Sequence, residues 1–548
     1  DANDNNLAFV NSPIRGNGSA GVYANGCTLT FSPKTLGDNW LLSDNGSHIY
    51  ACWGKYLFED LELTGAPSYG AATWGSDVTV RNCKFNENGS YGFHSHYDTL
   101  LVENSEFRNN KWAGITLRNT HPDATIGGPL TIRNSKIDGN VIGIYLPNCR
   151  TDVNPITLEN TPISNNRDWG AYFGSSEIDF KPGTFVMDWK LTDNGNNFLI
   201  YYGKTRFENV TMSDAKGWLA YTAYGDVVAK NSTFTGNGNA LYLHANSQSI
   251  IENCKVTDNT SWGIWTRPYY GYDTTDAEGH VSRVEYKGPV KLTNVESLRN
   301  GNGLGVYDYT VGRDSIELTD VTIADNTSWG IQFTYLKGEL NQETFGQFDR
   351  ALKQNGNGIY FNTVDADLVG LTISGNTGWG GHSVYSNLRI KDCSFSGNGQ
   401  GFYWYAGWDQ PYMLDLTLAV DNCHFDNNAT GQGLLTYWGK ASVKNSTFNN
   451  NVNGFYTAYD VRADVENCEM KGNRGWGVVL HVNYADWSTS WLDDRKSWYQ
   501  DNVQTLKNCV IDGNFQGLHV YNAKNENFAM TNVQITNNHY PDGNGLPV

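Results

Sequence analysis

The chain has 548 residues, with 39 Lys or Arg against 57 Asp or Glu, a formal net charge of −18 that argues against any phosphate-backbone partner such as nucleic acid. Charged residues reach only 18%, below the ~25% of an ordinary domain, and 59 Gly with 13% aromatics take their place. No apolar run approaches the roughly 18 residues of a bilayer span, so membrane insertion is not expected; Asp1 opens without a basic-then-apolar leader, so any secretion signal is expected to be gone already.

From the N-terminus, GSAGVYAN around Tyr23 and SHIYACWG around Tyr50 read as short strands that follow a turn. A fuller unit then repeats: VTVRNCKFNENGSYGFHSH from Val78, LVENSEFRNNKWAGITL from Leu101, LTIRNSKIDGNVIGIYL from Leu130 and SIIENCKVTDNTSWGIWT from Ser249. Each has an Asn, a small residue after it, an apolar residue two later, a second Asn six after the first, and a closing Gly before an apolar residue. From Asn82/Asn88 and Asn104/Asn110 through Asn508/Asn514 to Asn532/Asn538 there are fourteen such Asn or Asp pairs. Neighbouring units lie about 22 to 30 residues apart, the period of a solenoid and not of separate domains.

Three short alternating runs fill each unit, for example Val78 to Val80, Cys83 to Phe85 and Phe93 to Ser95, and none is long enough for a stable helix. Three strands and three turns describe one coil of a β-helix. The first Asn of each pair falls where the chain bends between strands, a position that suits the left-handed backbone Asn tolerates. Stacked Asn side chains then bond from coil to coil as internal ladders. About twenty coils are expected, forming one domain over 1–548.

These residues resemble the right-handed parallel β-helix superfamily typified by pectin and pectate lyases, whose coils carry an internal Asn ladder. The resemblance runs over almost the whole chain and implies a single-stranded, all-β, right-handed solenoid, the hand that parallel crossovers also prefer. It assigns no single activity, since the superfamily holds lyases, hydrolases, epimerases, tailspikes and adhesins. It does suggest an extracellular or cell-surface setting.

Cys83, Cys254, Cys393, Cys423, Cys468 and Cys509 each follow the first Asn or Asp of a pair, where other coils carry Ser105, Ser135 or Thr161. They read as small inward packing residues, with no metal or redox role. Parallel neighbours would hold Cys393 from Cys423, and Cys468 from Cys509, at about 4.8 Å between Cβ atoms, wider than the roughly 3.5 to 4.5 Å of a disulfide. Free thiols are expected, and neither metal nor cofactor is called for.

The residue two after each closing Gly should point outward. That position reads Tyr23, His94, Thr116, Tyr145, Tyr172, Trp265, Tyr307, Gln332, Tyr360, His382, Tyr403, Leu435, Tyr456, Val479 and His519. Eleven of these fifteen are aromatic or His, where a solvated strand face would carry Thr, Lys or Glu. Long insertions at 267–290, 335–349, 406–416 and 484–503 follow the same strand, and rings walled by loops make a groove suited to sugar faces. A polysaccharide or surface glycan is the expected partner, with Tyr145, Tyr172, Tyr242, Trp265, Tyr309, Tyr360, Tyr403 and Tyr405 as its contacts.

Chemistry is densest mid-chain, where His244, Arg267 and Tyr307 come from successive coils and Asp276 and Glu278 sit on the insertion between them. A Tyr or His base beside an Arg suits proton abstraction next to a uronate carboxylate, which is lyase or epimerase chemistry. A carboxylate pair such as Asp276 and Glu278 suits glycoside hydrolysis instead. The Asp-Pro-His element of alginate epimerases is missing, and Arg389-Ile390-Lys391 lacks the companion motifs of a polygalacturonase. The competing expectation is a non-catalytic surface fibre or adhesin, assembling end to end through uncapped β-helix edges.

Overall fold

The computed structural model describes residues 13–33, 41–118, 128–150, 154, 156–180, 191–275, 279–307, 316–341, 352–407, 415–459, 461–481, 503–521 and 527–539. The chain divides into two compact units. Unit one comprises Asp1–Ser261 with Gly271–Pro289, and unit two Trp262–Tyr270 with Val290–Val548.

Each unit is an all-β parallel solenoid, and one coil of unit one explains why. In Asp77–Arg81 the alternation buries Val78 and Val80 and leaves Asp77 and Arg81 to solvent. Asn82 then turns the chain at φ 51°, in the left-handed region that Asn accepts at low cost. Lys84–Asn86 buries Phe85, a second left-handed residue at Glu87 bends the chain again, and Phe93–His96 buries Phe93 and Ser95. Phe93 pairs in parallel with Ala71 of the previous coil and Ile115 of the next. Like residues therefore stack on like: Phe85 lies on Phe107 with centroids 5.1 Å apart, and in unit two Phe425 lies on Phe448 at the same 5.1 Å.

The paired Asn residues build two different ladders. The second of each pair is buried, and in unit one Asn88, Asn110, Asn140, Asn166 and Asn194 pass hydrogen bonds from coil to coil. Unit two repeats this from Asn326 and Asn355 and from Asn376 on to Asn398. The first of each pair lies on the outside. Its amides also link coils, as Asn160 to Asn134 and Asn467 to Asn445, but in solvent, so only one of the two expected internal ladders is internal. The closing glycine follows from the buried ladder: a Cβ on Gly92 would sit 2.6 Å from the Gly114 carbonyl and 2.9 Å from the Asn110 amide.

Among the described residues the longest run of strands, one per coil, numbers ten in unit one and ten in unit two, in line with the twenty coils expected. In several coils of unit two the third face shortens to isolated bridges, as at Ser394 and His424. All nine cysteines are free thiols, and Cys423 Sγ accepts from the Cys393 main-chain N–H at 3.4 Å. The insertion expected as loop over 267–290 contains a two-stranded sheet, Tyr269–Thr275 with Val281–Lys287, joined in unit one by Thr274 and Ser282 hydroxyls 2.8 Å apart. Its Tyr, Val and Thr content favours strand over open loop. Residues 342–349, 408–414 and 484–502 of the other insertions lie outside the described residues.

Candidate functional site: the outward aromatic face

The longest run of strands carries the candidate face. In unit one its register aligns Tyr50, Ala72, His94, Thr116, Tyr145 and Tyr172 as one outward row, followed by Leu199, Tyr221 and Tyr242. In unit two the row reads Trp265, Gly305, Gln332, Tyr360, His382, Tyr403, Leu435, Tyr456, Val479 and His519. Most of the rings in these rows are half-buried. Ala72, Thr116, Leu435 and Val479 lie in register with these rows yet are buried.

The register corrects one placement. Trp265 aligns with Gly305, and Tyr307 with Thr334, so Tyr307 belongs to the next outward row along the strand. The glycine that closes this coil is Gly303, whose Cβ would meet the Asn326 amide at 2.9 Å. In that row Arg267 holds its guanidinium 5.1 Å from the Tyr307 ring centroid, a cation–π pair within unit two. Tyr242 and His244 belong to unit one, where His244 Nδ1 lies 3.1 Å from the Tyr221 hydroxyl and Tyr242 stacks on Trp218 at 5.3 Å. Asp276, Glu278 and Tyr309 lie outside the described residues.

The other sugar-contact candidates sit in ring clusters. Tyr145 and Tyr172 have centroids 5.0 Å apart in unit one. In unit two, rings touch in an unbroken path: Trp329 to Tyr360 at 5.2 Å, Tyr360 to His382 at 5.4 Å, His382 to Tyr403 at 4.5 Å, and Tyr403 to Tyr437 at 5.3 Å. Tyr405 lies beside it, 5.7 Å from Tyr385. Burial raises the Tyr360 and Tyr403 phenols, so both stay protonated at neutral pH and donate. Burial pushes the His382 imidazole down to about 4, so it is neutral at pH 7 and only a weak base, suited to hydrogen bonding.

Two features were not legible beforehand. The corner that ends these strands holds bulky rings in left-handed backbone: Trp53, Tyr97, Tyr202 and Tyr224 in unit one, and Tyr335, Tyr385, Trp438 and Tyr459 in unit two, all at φ 50° to 60°. Such residues cost of order 1–3 kcal/mol where Gly or Asn would be nearly free. The second feature is a polar cluster of His94, His96 and Arg118 in unit one, of which only His94 stood out in the sequence. His96 and Arg118 lie in the row that follows the aromatic stripe, and register alone brings them side by side. Among the described residues no group of three or more His, Cys, Asp or Glu is arranged to hold a metal ion, and no helix is long and apolar enough to cross a membrane.

The family description "Right handed beta helix region" matches residues 2–128, 124–267, 302–470 and 357–546. The chain belongs to the right-handed β-helix family. No curated protein sequence matches it. Among solved structures it is similar to the A-modules of two Azotobacter vinelandii mannuronan C-5 epimerases. For AlgE4 the identity is 10% over 78% of this chain and 90% of that one, with a TM-score of 0.23. For AlgE6 it is 9% over 89% and 90%, with a TM-score of 0.18. The periplasmic alginate epimerase AlgG is 12% identical over 77% of this chain and 78% of that one, with a TM-score of 0.14. No residue role is carried across at these similarities.

Proposed function

We propose that this β-helix protein works outside the cell, binding a polysaccharide along its outward aromatic face and processing it by lyase, epimerase or glycoside hydrolase chemistry. The observation that carries this reading is the unbroken path of half-buried rings from Trp329 to Tyr437. Tyr and Trp rings, with a flat face and a polar tip, match the apolar face and hydroxyl rim of a pyranose. Within this reading, Tyr145, Tyr172, Tyr242, Trp265, Tyr360, Tyr403 and Tyr405 contact sugar. His244 in unit one, and Arg267 with Tyr307 in unit two, are the polar groups assigned to the reacting chain.

The test is a panel of uronate-containing and neutral polysaccharides. Product is followed by absorbance of unsaturated ends for a lyase, new reducing ends for a hydrolase and proton NMR for an epimerase. Activity lost in Tyr307→Phe or His244→Ala, with folding intact, supports the assignment. No binding and no turnover on any polysaccharide, together with filaments under electron microscopy, would replace it with the surface-fibre reading.

A further inference from the structure

We propose that His94, His96, Thr116 and Arg118 form a subsite in unit one for an anionic sugar, one carrying a carboxylate or a sulfate ester. The proposal rests on the polysaccharide reading above and adds the charge class of the glycan and where that charge is held.

The starting observation is a cation without a carboxylate. In this acidic chain most described surface arginines of unit one are paired, Arg15 excepted: Arg81 and Arg133 with Glu103, Arg108 with Glu106 and Asp138, and Arg206 with Asp179. Arg118 is half-buried; it donates to the Tyr97 hydroxyl at 3.2 Å and lies over that same ring, 5.8 Å from its centroid. Its Nε is buried with no hydrogen-bond partner. A guanidinium carries five donors in a planar fork, so most of this one's capacity is left for a ligand.

Three further polar atoms share that state. His94 Nδ1, His96 Nδ1 and Thr116 Oγ1 are all buried and unpartnered, and Thr116 is only 1% exposed. Register sets His94 beside Thr116 and His96 beside Arg118 on adjacent strands, and the two imidazoles lie 4.1 Å apart. Buried polar groups are normally satisfied, and leaving one unpaired costs about 1–3 kcal/mol. Four such atoms on neighbouring outward positions mark a site built to be completed by something else.

The chemistry of that ligand follows from charge and shape. Burial and the nearby Arg118 hold the two imidazoles at about 4 and about 3, so both are neutral at pH 7 and the cluster carries the single positive charge of Arg118. One cation, two imidazoles and a hydroxyl fit one anionic group with adjacent hydroxyls. Rings border the cluster as a sugar platform requires: Tyr69 stacks on His94 at 5.2 Å, and Trp74 lies 4.8 Å from His96.

Isothermal titration of the full chain would use oligogalacturonate for the carboxylate, a sulfated oligosaccharide for the sulfate ester, and a neutral cello-oligosaccharide, all in the same buffer. The expected result is binding of at least one acidic probe, weakened about tenfold or more in Arg118→Gln, as loss of a charge-assisted hydrogen bond would give. Arg118→Lys, which keeps the charge but not the fork, should fall between, and thermal melting at the wild-type temperature certifies both folds. Preference between the two acidic probes names the anion. Binding of the neutral probe alone overturns this inference and leaves the polysaccharide reading standing. Acidic binding unchanged in Arg118→Gln, or no binding of either acidic probe, overturns the subsite.

Discussion

Asn110 Oδ1 accepts two hydrogen bonds from Asn88, one from its main-chain N–H and one from its side-chain amide, each 3.0 Å long. Asn110 in turn donates its own amide to the Phe85 carbonyl at 2.9 Å and to Asn140 at 2.9 Å. One side chain thus satisfies buried groups of the coils before and after its own.

Asn110→Ala should therefore destabilise the protein by about 1–3 kcal/mol, since two buried Asn88 donors lose their acceptor. Asn104→Ala, on the exposed ladder at φ 50°, should cost about 1 kcal/mol through its backbone, and Asn104→Gly much less. Urea unfolding of the three variants checks the ranking, and an Asn110 variant as stable as Asn104→Gly would contradict the buried ladder.

The left-handed corner tests whether its rings are kept for stability or for contact. Trp438 at φ 60° stacks on Tyr459 with centroids 5.2 Å apart and planes 4° apart. Trp438→Asn should leave the melting temperature within a few degrees, because relief of backbone strain offsets the lost stacking. Retention of the protein on polysaccharide-containing gels should fall several-fold. A large drop in melting temperature with unchanged retention would assign these rings to the fold alone.

Eight of the nine cysteines are buried and so shielded from reagents, and burial pushes the Cys83 thiol up to about 12. In the native protein only the half-buried Cys27 should react promptly with a thiol reagent, and all nine should react in denaturant without prior reduction. Fewer than nine in unreduced, denatured protein would point to a disulfide.

Acid should weaken unit one through its histidines. His94 sits at about 4 and His96 at about 3 in the folded protein, held down first by burial and then by neighbouring positive charge, against an ordinary 6.5. The unfolded chain binds more protons between these values, so stability falls as pH drops from about 6.5 toward 4. Asp98 opposes this. Burial pushes its carboxyl up to about 6, against hydrogen bonds from Ser95, Thr73 and Ser76, so the folded state gains a proton between about 6 and 3.8. Two imidazoles outweigh one carboxyl, so the melting temperature of the wild type should fall from pH 7 to 4.5. A His94→Gln, His96→Gln double variant should fall less, and Asp98→Asn more. Equal slopes in all three would show that these groups do not set the acid limit.

The coil, its three strands and the residues that turn it are readable from the chain, because alternation and Asn placement are local and recur at a fixed period. The closing glycine, the inward cysteine row and the outward aromatic row belong to the same legible set, since each depends on side-chain direction along a strand. What the period does not contain is the pairing of one coil with the next. Trp265 facing Gly305, not Tyr307, and the split of the Asn pairs into a buried and an exposed ladder, are set by inter-coil register. The His94, His96 and Arg118 cluster is of the same kind: His96 and Arg118 are 22 residues apart in the chain and adjacent in the sheet. Polar groups left unpaired by burial cannot be seen in a sequence, because desolvation is a property of neighbours that only folding brings together.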